Sequence, residues 1–510
     1  MKTSLILKHL DKVKFSFKGK KILIADRGRI ESVMKNYCAI KILSKQMNID
    51  PIILTHGSFD NELNKVYKKL GFKKFIKTFD LKNQTYRTIY FLLKSMINLL
   101  KILKFFYSKN FYAFIYTFKV SDVNVGDIIY DRYIRDGKKY LKPNFFDFSF
   151  LKYFFVTVYK VFFLENYLKS NAIKLVIVNT HSYTNNYSIV FKLAKKLKID
   201  ILYLKDFQIS FFKNGQYSNE NDPRIISKKK LDKINFSKIK RKKFLLHMQK
   251  RVRGKLSHFD VKNAFGKKTK LVKNLIKNKR IDLSNFRKKI LIAAHSLSDA
   301  NHFYFNFNVK SFFYDYHSQL IKTLNFAKKH KDILFLLRPH PSSKFWNELG
   351  VIDKIYKIYK SPNIILNNNR YDTNDLLKFV DTTITVHGTI GIETAGFYKK
   401  KPILAGTGLY SNLGFTFDAK KEDEYYKNIL VDKDRHKLNL SETKLAEKAL
   451  YYYELLSKET YKSYVSREKI LLSDHKYIKD LNNFLKKNDI KNDEYFKNLK
   501  NKLILNNILK

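Results

Sequence analysis

At 510 residues the chain is long enough for two or more core-bearing domains, and its 45% hydrophobic content with 15% aromatics excludes a disordered polymer. A formal net charge of +56 invites a polyanionic partner. The lysines are spread along the whole chain rather than gathered in one stripe, so composition bias with solvated faces is preferred over a specific nucleic-acid site. The single cysteine, Cys38, excludes an intrachain disulfide and fits a reducing compartment.

The opening MKTSLILKHLDKVKF has only a short apolar run before charge returns and does not read as a signal peptide. The first strand-like run is Lys21–Ala25 (KILIA), followed by a helical pattern at Ile30–Gln46 and a strand at Pro51–Leu54. Aromatic-rich amphipathic helices then fill Asn83–Leu168, read as an insertion in the first domain. Within it, Phe91–Phe118 and Phe145–Leu164 are broken by Lys94, Lys101, Lys104, Lys152 and Lys160, so neither supplies the roughly 20 predominantly apolar residues of a bilayer span. Their apolar side chains with lysines at intervals suit an anionic headgroup layer, and internal packing is the competing expectation. The strands Leu175–Val178 and Ile201–Leu204, with a helix at Asn186–Leu197 between them, complete a first domain over residues 1–205.

Residues 206–287 are dense in lysine and poor in strand signals, as expected of a connector. A second block, 288–430, alternates strands at Ile290–Ala293, Ile333–Leu337, Ile364–Leu366, Thr382–Val386 and Ile403–Ala405 with helices at Phe312–Lys328, Thr373–Phe379 and Ile390–Lys399. That alternation specifies an α/β fold with a parallel, doubly wound sheet. Residues 431–510 read as a helical tail, with Ser441 as an N-cap.

Three motifs follow strands of the second block, where open α/β sheets bind ligands. In Thr385–Phe417 a strand ends in His387-Gly388-Thr389 and turns at once into a helix. Gly388 and Gly391 let the backbone approach an anion at the positive helix end, and Glu393, one turn in, can accept from a sugar hydroxyl. The unit reads as a nucleotide-phosphate site. Arg338-Pro339-His340-Pro341 places a forked cation and an imidazole at the same sheet edge, held out of helix by two prolines. Ala294–His302 (AHSLSDANH) adds His295, Asp299 and His302 without a credible metal-ligand spacing. Candidates for a base at the strand ends and in GDIIYDRYIR are Asp26, Asp131 and His181, with Asp299 from the second block. A P-loop and a nucleophile elbow are both missing from the sequence.

RPHP at 338–341, HGTIGIE at 387–393, KPILAGTGLY at 401–410 and GFTFD at 414–418 resemble the carboxyl-terminal half of bacterial capsule and surface-carbohydrate biosynthesis proteins, and GDIIYDRYIR and SDANH resemble further blocks of that group. The resemblance implies a GT-B fold, two Rossmann-like domains facing a cleft. It is also similar to the His-Pro and Gly-Thr/Ser elements of Kdo transferases, sialyltransferases and polyol-phosphate polymerases. By that resemblance His340, Gly388 and Thr389 contact donor phosphate and Glu393 the ribose or sugar, while His387 stands where arginine is more usual. The expected protein is a metal-independent, cytoplasmic glycosyltransferase without a cofactor, taking a nucleotide-sugar donor and a glycan or lipid-linked glycan acceptor. A second address would be the inner face of an anionic membrane. The alternatives are a polyol-phosphate transferase and, in another class, a non-catalytic basic protein that binds nucleic acid or membrane.

Overall fold

The computed structural model describes residues 4–508 except 15–17, 27, 56–59, 79–84, 138–140, 142, 180–185, 206–207, 218–224, 257–258, 267–270, 300–301, 303–311, 369–370, 457–462 and 467–473. Two compact units share the chain. The first combines 1–223 with 458–510, and the second is the continuous segment 224–457.

The first unit is built on strands β1 (Lys20–Ala25), β2 (Ile49–Thr55), β3 (Lys74–Lys77), β6 (Leu175–Val178), β7 (Asp200–Lys205) and β8 (Gln208–Phe212). They lie in the order β3-β2-β1-β6-β7-β8, all parallel except β8, which runs antiparallel to β7. The inner strands centre on buried runs of Ile, Leu and Val (ILI in β1, IIL in β2, LVIV in β6), as expected of a sheet covered on both faces. Two short strands, β4 (Lys119–Val120) and β5 (Val123–Asn124), form a separate ribbon inside the insertion between β3 and β6. The insertion is helical, at Thr85–Leu100, Leu103–Ser108, Phe111–Thr117, Gly126–Gly137 and Phe148–Ser170. Its aromatics form a core: Phe111 stacks on Phe145 at 4.0 Å, and Phe150 meets both Phe145 and Phe114. Phe150, Phe154, Val158, Val161 and Leu164 are buried, so most of the apolar stretch Phe145–Leu164 packs inward and is not a membrane face.

The second unit has strands β9 (Lys288–Ala293), β10 (Ile333–Arg338), β11 (Ile364–Leu366), β12 (Thr382–Thr385) and β13 (Ile403–Leu404). All are parallel, in the order β11-β10-β9-β12-β13. Numbered along each main sheet, the first follows 3-2-1-4-5-6 with its last strand antiparallel and the second 3-2-1-4-5, the Rossmann order, which opens a crevice where the winding reverses. In the second unit that switch lies between β9 and β12. Two Rossmann-like units are therefore present.

The segment expected as a connector differs from that expectation. β8 joins the first sheet, and the helices Lys228–Asp232, Lys238–Val252, Phe259–Phe265 and Val272–Asn278 belong to the second unit. Phe244, Met248 and Val252 recur every fourth residue and are buried, a periodicity hidden in the sequence by the surrounding lysines. The expected tail is likewise divided. Helix Leu440–Tyr451 packs on helix Thr389–Gly396, where a Cβ on Gly396 would come within 2.7 Å of the Ala446 carbonyl. Helices Asp474–Leu485 and Glu494–Leu505 join the first core instead. Asn439 rather than Ser441 is the N-cap, closing a capping box with Glu442. Among the described residues no helix is long and apolar enough to cross a membrane.

Candidate functional site

The carboxyl ends of β9, β10 and β12 border a cavity of about 260 Å³. His295 follows β9, Arg338 ends β10 with His340 two residues on, and His387-Gly388-Thr389 follows β12; all of them line the cavity. Glu393 lines it from the helix Thr389–Gly396. Arg251, Phe265, Tyr410 and Tyr453 complete the wall from other helices and loops.

Arg338 is 2% exposed, yet it touches no carboxylate among the described residues. Its Nη2 donates to Thr373 Oγ1 at 2.6 Å, both Nη atoms lie 3.4 Å from the Tyr371 carbonyl, and its Nε is buried with no hydrogen-bond partner. Burial lowers its pKa to about 10, against the pull of Asp372, and it stays charged at neutral pH. A guanidinium held this way costs stability unless an anion reaches it. The helix Thr389–Gly396 starts at Gly388 without a side-chain cap, so its first N–H groups and the positive helix end also favour an anion.

The histidines are fixed by a shared network. Val386 N–H donates to His295 Nε2 at 3.3 Å, and the Thr385 hydroxyl, which accepts from Gly388 N–H at 3.1 Å, lies 3.1 Å from the same nitrogen. The neutral His295 ring therefore carries its proton on Nδ1. It stacks on Tyr316 at 4.4 Å, and the Tyr316 hydroxyl lies 2.7 Å from His387 Nε2. His340 Nδ1 accepts from Ser342 N–H at 3.2 Å, which leaves the proton of its neutral ring on Nε2. The loop carrying His295 is locked by Glu348, whose carboxylate accepts from the Leu297 and Ser298 N–H groups at 2.9 and 2.7 Å.

Burial keeps His387 neutral, with a pKa lowered to about 4 and His302 adding to the effect. Burial, then His387 and His340, place His295 well below the ordinary histidine range. Unfolded, these rings take up protons near pH 6.5. Between about pH 6.5 and 4 the unfolded state binds more protons, so this contribution to stability is complete above about 6.5 and is lost as pH falls towards 4. His387→Gln is expected to flatten that acid limb by roughly 1–3 kcal/mol in urea unfolding curves taken across this range. An acid limb as steep as before would assign the loss to other groups.

Glu393 is 3% exposed and is tied to Arg251, whose Nη2 and Nε donate to its Oε1 at 2.5 and 3.1 Å. Arg251 also donates to Glu454 Oε2 at 3.2 Å. Gly391 is not on the cavity wall: a Cβ there would lie 2.2 Å from the Tyr410 hydroxyl, which donates to the Gly388 carbonyl at 2.6 Å. That glycine serves close packing beneath the His-Gly-Thr turn.

The base candidates do not gather here. Asp26 lies in the first unit at the end of β1, where its carboxylate accepts from the Tyr67 hydroxyl at 2.6 Å and from Gly28 N–H at 3.1 Å. Asp131 sits buried on the helix Gly126–Gly137, also in the first unit. Asp299 is on the His295 loop but outside the cavity wall, and His181 lies outside the described residues. Among the described residues no three His, Cys, Asp or Glu side chains meet as a metal ion requires. Sequence reading missed Arg251, Tyr316 and Glu348, which sit in segments with no motif of their own, and Tyr410, which closes the KPILAGTGLY string but was given no role there.

The fold thus defines a chain of two Rossmann-like α/β units, with the site at the switch point of the second. No protein-family description matches the chain, and no curated protein does. Among solved structures it is similar to a UDP-GlcNAc 2-epimerase from Methanocaldococcus jannaschii, at 12% identity, covering 84% of this chain and 98% of the other with a TM-score of 0.25. It is also similar to a glycosyltransferase from Rickettsia africae, at 14% identity over 86% and 96% with a TM-score of 0.25. A third is Anabaena HepE in complex with UDP, at 9% identity over 84% and 93% with a TM-score of 0.26. Similarity this distant says nothing of substrate.

Proposed function

We propose that this protein is a metal-independent sugar transferase of GT-B type that uses a nucleotide-activated donor to build a bacterial surface polysaccharide. The observation that carries the reading is Arg338, a buried cation without a carboxylate on the wall of a cavity at the switch point. The leaving nucleotide phosphate would be met by Arg338, by a donor hydrogen bond from His340 Nε2, and by the helix start at Gly388-Thr389. These groups are fixed before the reaction, so they would stabilise the departing charge with little reorganisation. His295 and His387, kept neutral by burial, would donate or accept without adding charge, which leaves Arg338 as the permanent cation that neutralises the phosphate. Glu393, with Arg251 holding it, would face the ribose or sugar. The first unit would take the acceptor, a glycan or lipid-linked glycan, and a membrane-borne acceptor would bring the enzyme to an anionic surface. A base for an inverting course would come from Asp26, Asp131, His181 or Asp299.

Thermal shift of the purified chain against a panel of nucleotide sugars tests the reading. Nucleotide sugars are expected to raise the melting temperature, and His340→Ala to weaken the response about tenfold in affinity without changing the melting temperature of the free protein. Including CDP-glycerol separates the polyol-phosphate alternative. A chain stabilised by nucleic acid and by no nucleotide sugar would overturn the proposal.

A further inference from the structure

Helix Thr85–Leu100 is turned inside out for a water-soluble protein. Its inward face holds Phe91, Ser95 and Asn98, all buried, and the two polar residues bond back to their own helix, Ser95 Oγ to the Phe91 carbonyl at 2.7 Å and Asn98 Nδ2 to the Lys94 carbonyl at 2.8 Å. Its outward face is apolar. Tyr86, Ile89, Tyr90, Leu93, Ile97 and Leu100 recur at three- and four-residue spacing and are all exposed, with Ile97 at 62% and Leu100 at 67%. Phe91 fixes the orientation by packing edge-on to Tyr159 and Phe163 of the buried helix Phe148–Ser170. The outward face is therefore presented by the fold and is not a frayed segment.

We propose that this face lies in the headgroup layer of an anionic membrane. Charge selects that occupant. Residues 81–121 contain Lys82, Arg87, Lys94, Lys101, Lys104, Lys109 and Lys119 and no Asp or Glu. A second copy of the chain would set this same positive segment against itself, whereas anionic lipid complements it. Lys101 and Lys104 are exposed just beyond the helix, where their ammonium groups can reach phosphates while the apolar stripe enters the acyl boundary. The helix is 16 residues long and bears Lys94 on its flank, which fits a helix lying on a surface rather than across it.

The test is co-sedimentation of the full chain with vesicles of phosphatidylcholine alone and of phosphatidylcholine with phosphatidylglycerol, at low and high salt. Binding is expected only to the anionic vesicles, with release by salt. Leu93→Glu with Ile97→Glu is expected to lower it at least about tenfold at unchanged circular dichroism and melting temperature, since neither side chain contributes to a core. If that double variant misfolds, Lys101→Glu with Lys104→Glu provides the second arm, expected to reduce anionic binding alone. Equal binding to both vesicle types, no binding at all, or a wild-type dimer that the double glutamate variant dissolves would each overturn the proposal. Vesicle binding stands apart from the sugar-transfer reading, because a chain that binds lipid and no nucleotide sugar would retain the first and lose the second.

Discussion

Arg338→Met is expected to reduce nucleotide-sugar affinity roughly 100-fold, about 3 kcal/mol, while leaving the unfolding free energy unchanged or higher. The two effects run in opposite directions for a physical reason. In the free protein the guanidinium is buried with no carboxylate partner, so replacing it by an apolar chain of similar length relieves desolvation. The groups it leaves are the Tyr371 carbonyl and the Thr373 hydroxyl, and the hydroxyl keeps the Ala264 carbonyl as its acceptor. Arg338→Lys keeps the charge but loses the planar fork and should fall between the two. Calorimetric titration alongside urea unfolding measures both quantities. A variant that is destabilised but binds as before would make Arg338 a structural residue.

Arg251 should behave in the opposite way. Its guanidinium joins Glu393 and Glu454, which are 3% exposed each, so Arg251→Ala leaves two buried carboxylates without the cation they share. The expected loss is about 3–5 kcal/mol of stability, the range for breaking a buried ion pair from one side. Glu393→Gln should cost less, because Arg251 would still hold Glu454. Urea unfolding of both variants measures the order, and equal losses would mean that the three residues do not act as one network. A lowered affinity in either variant is read against its stability, since the helix Thr389–Gly396 carries both Glu393 and the turn at Gly388.

The contrast between these two arginines marks what was legible in the chain. Arg338 stands in a motif, after a run of Ile, Leu and Phe that can only be a buried strand and before prolines that end it. His387-Gly388-Thr389 is signalled in the same way, by a strand that breaks into a helix. Parallel strands buried on both faces are rich in apolar or β-branched residues, ILFLL in β10 and TTIT in β12, which is why all five strands of the second sheet could be placed. Arg251 lies in KIKRKKFLLHMQKRV, where nothing local separates it from neighbouring cations, and only tertiary packing shows that it is the buried one. Tyr316 is similarly silent, since a tyrosine that orients a histidine has the same sequence context as one in a core, and nothing local in KPILAGTGLY assigns Tyr410 to the glycine turn. β3 was missed because KFIK is too short to show a period, and the sequence left open whether the apolar stripe within Phe91–Phe118 faces a headgroup layer or a core, because periodicity reports a stripe but not the direction it faces. Gly391 is expected from the sequence to let the backbone approach an anion, whereas its lack of a side chain makes room for the Tyr410 hydroxyl.

The first unit is assembled from two distant parts of the chain. Val465, Tyr477, Leu481, Tyr495, Leu499 and Leu503 share one core with Ile22, Ile24 and the helix Ile30–Leu43, although more than four hundred positions separate them. On the ribosome, therefore, the amino-terminal sheet waits for its last packing layer until the whole of 224–457 has been made. The second unit needs nothing from beyond its own continuous segment and can reach its native state first. Until residues near Leu503 emerge, the nascent chain carries a second unit that can be complete and an amino-terminal unit whose apolar surface is still uncovered, and this is the interval in which a chaperone has something to hold.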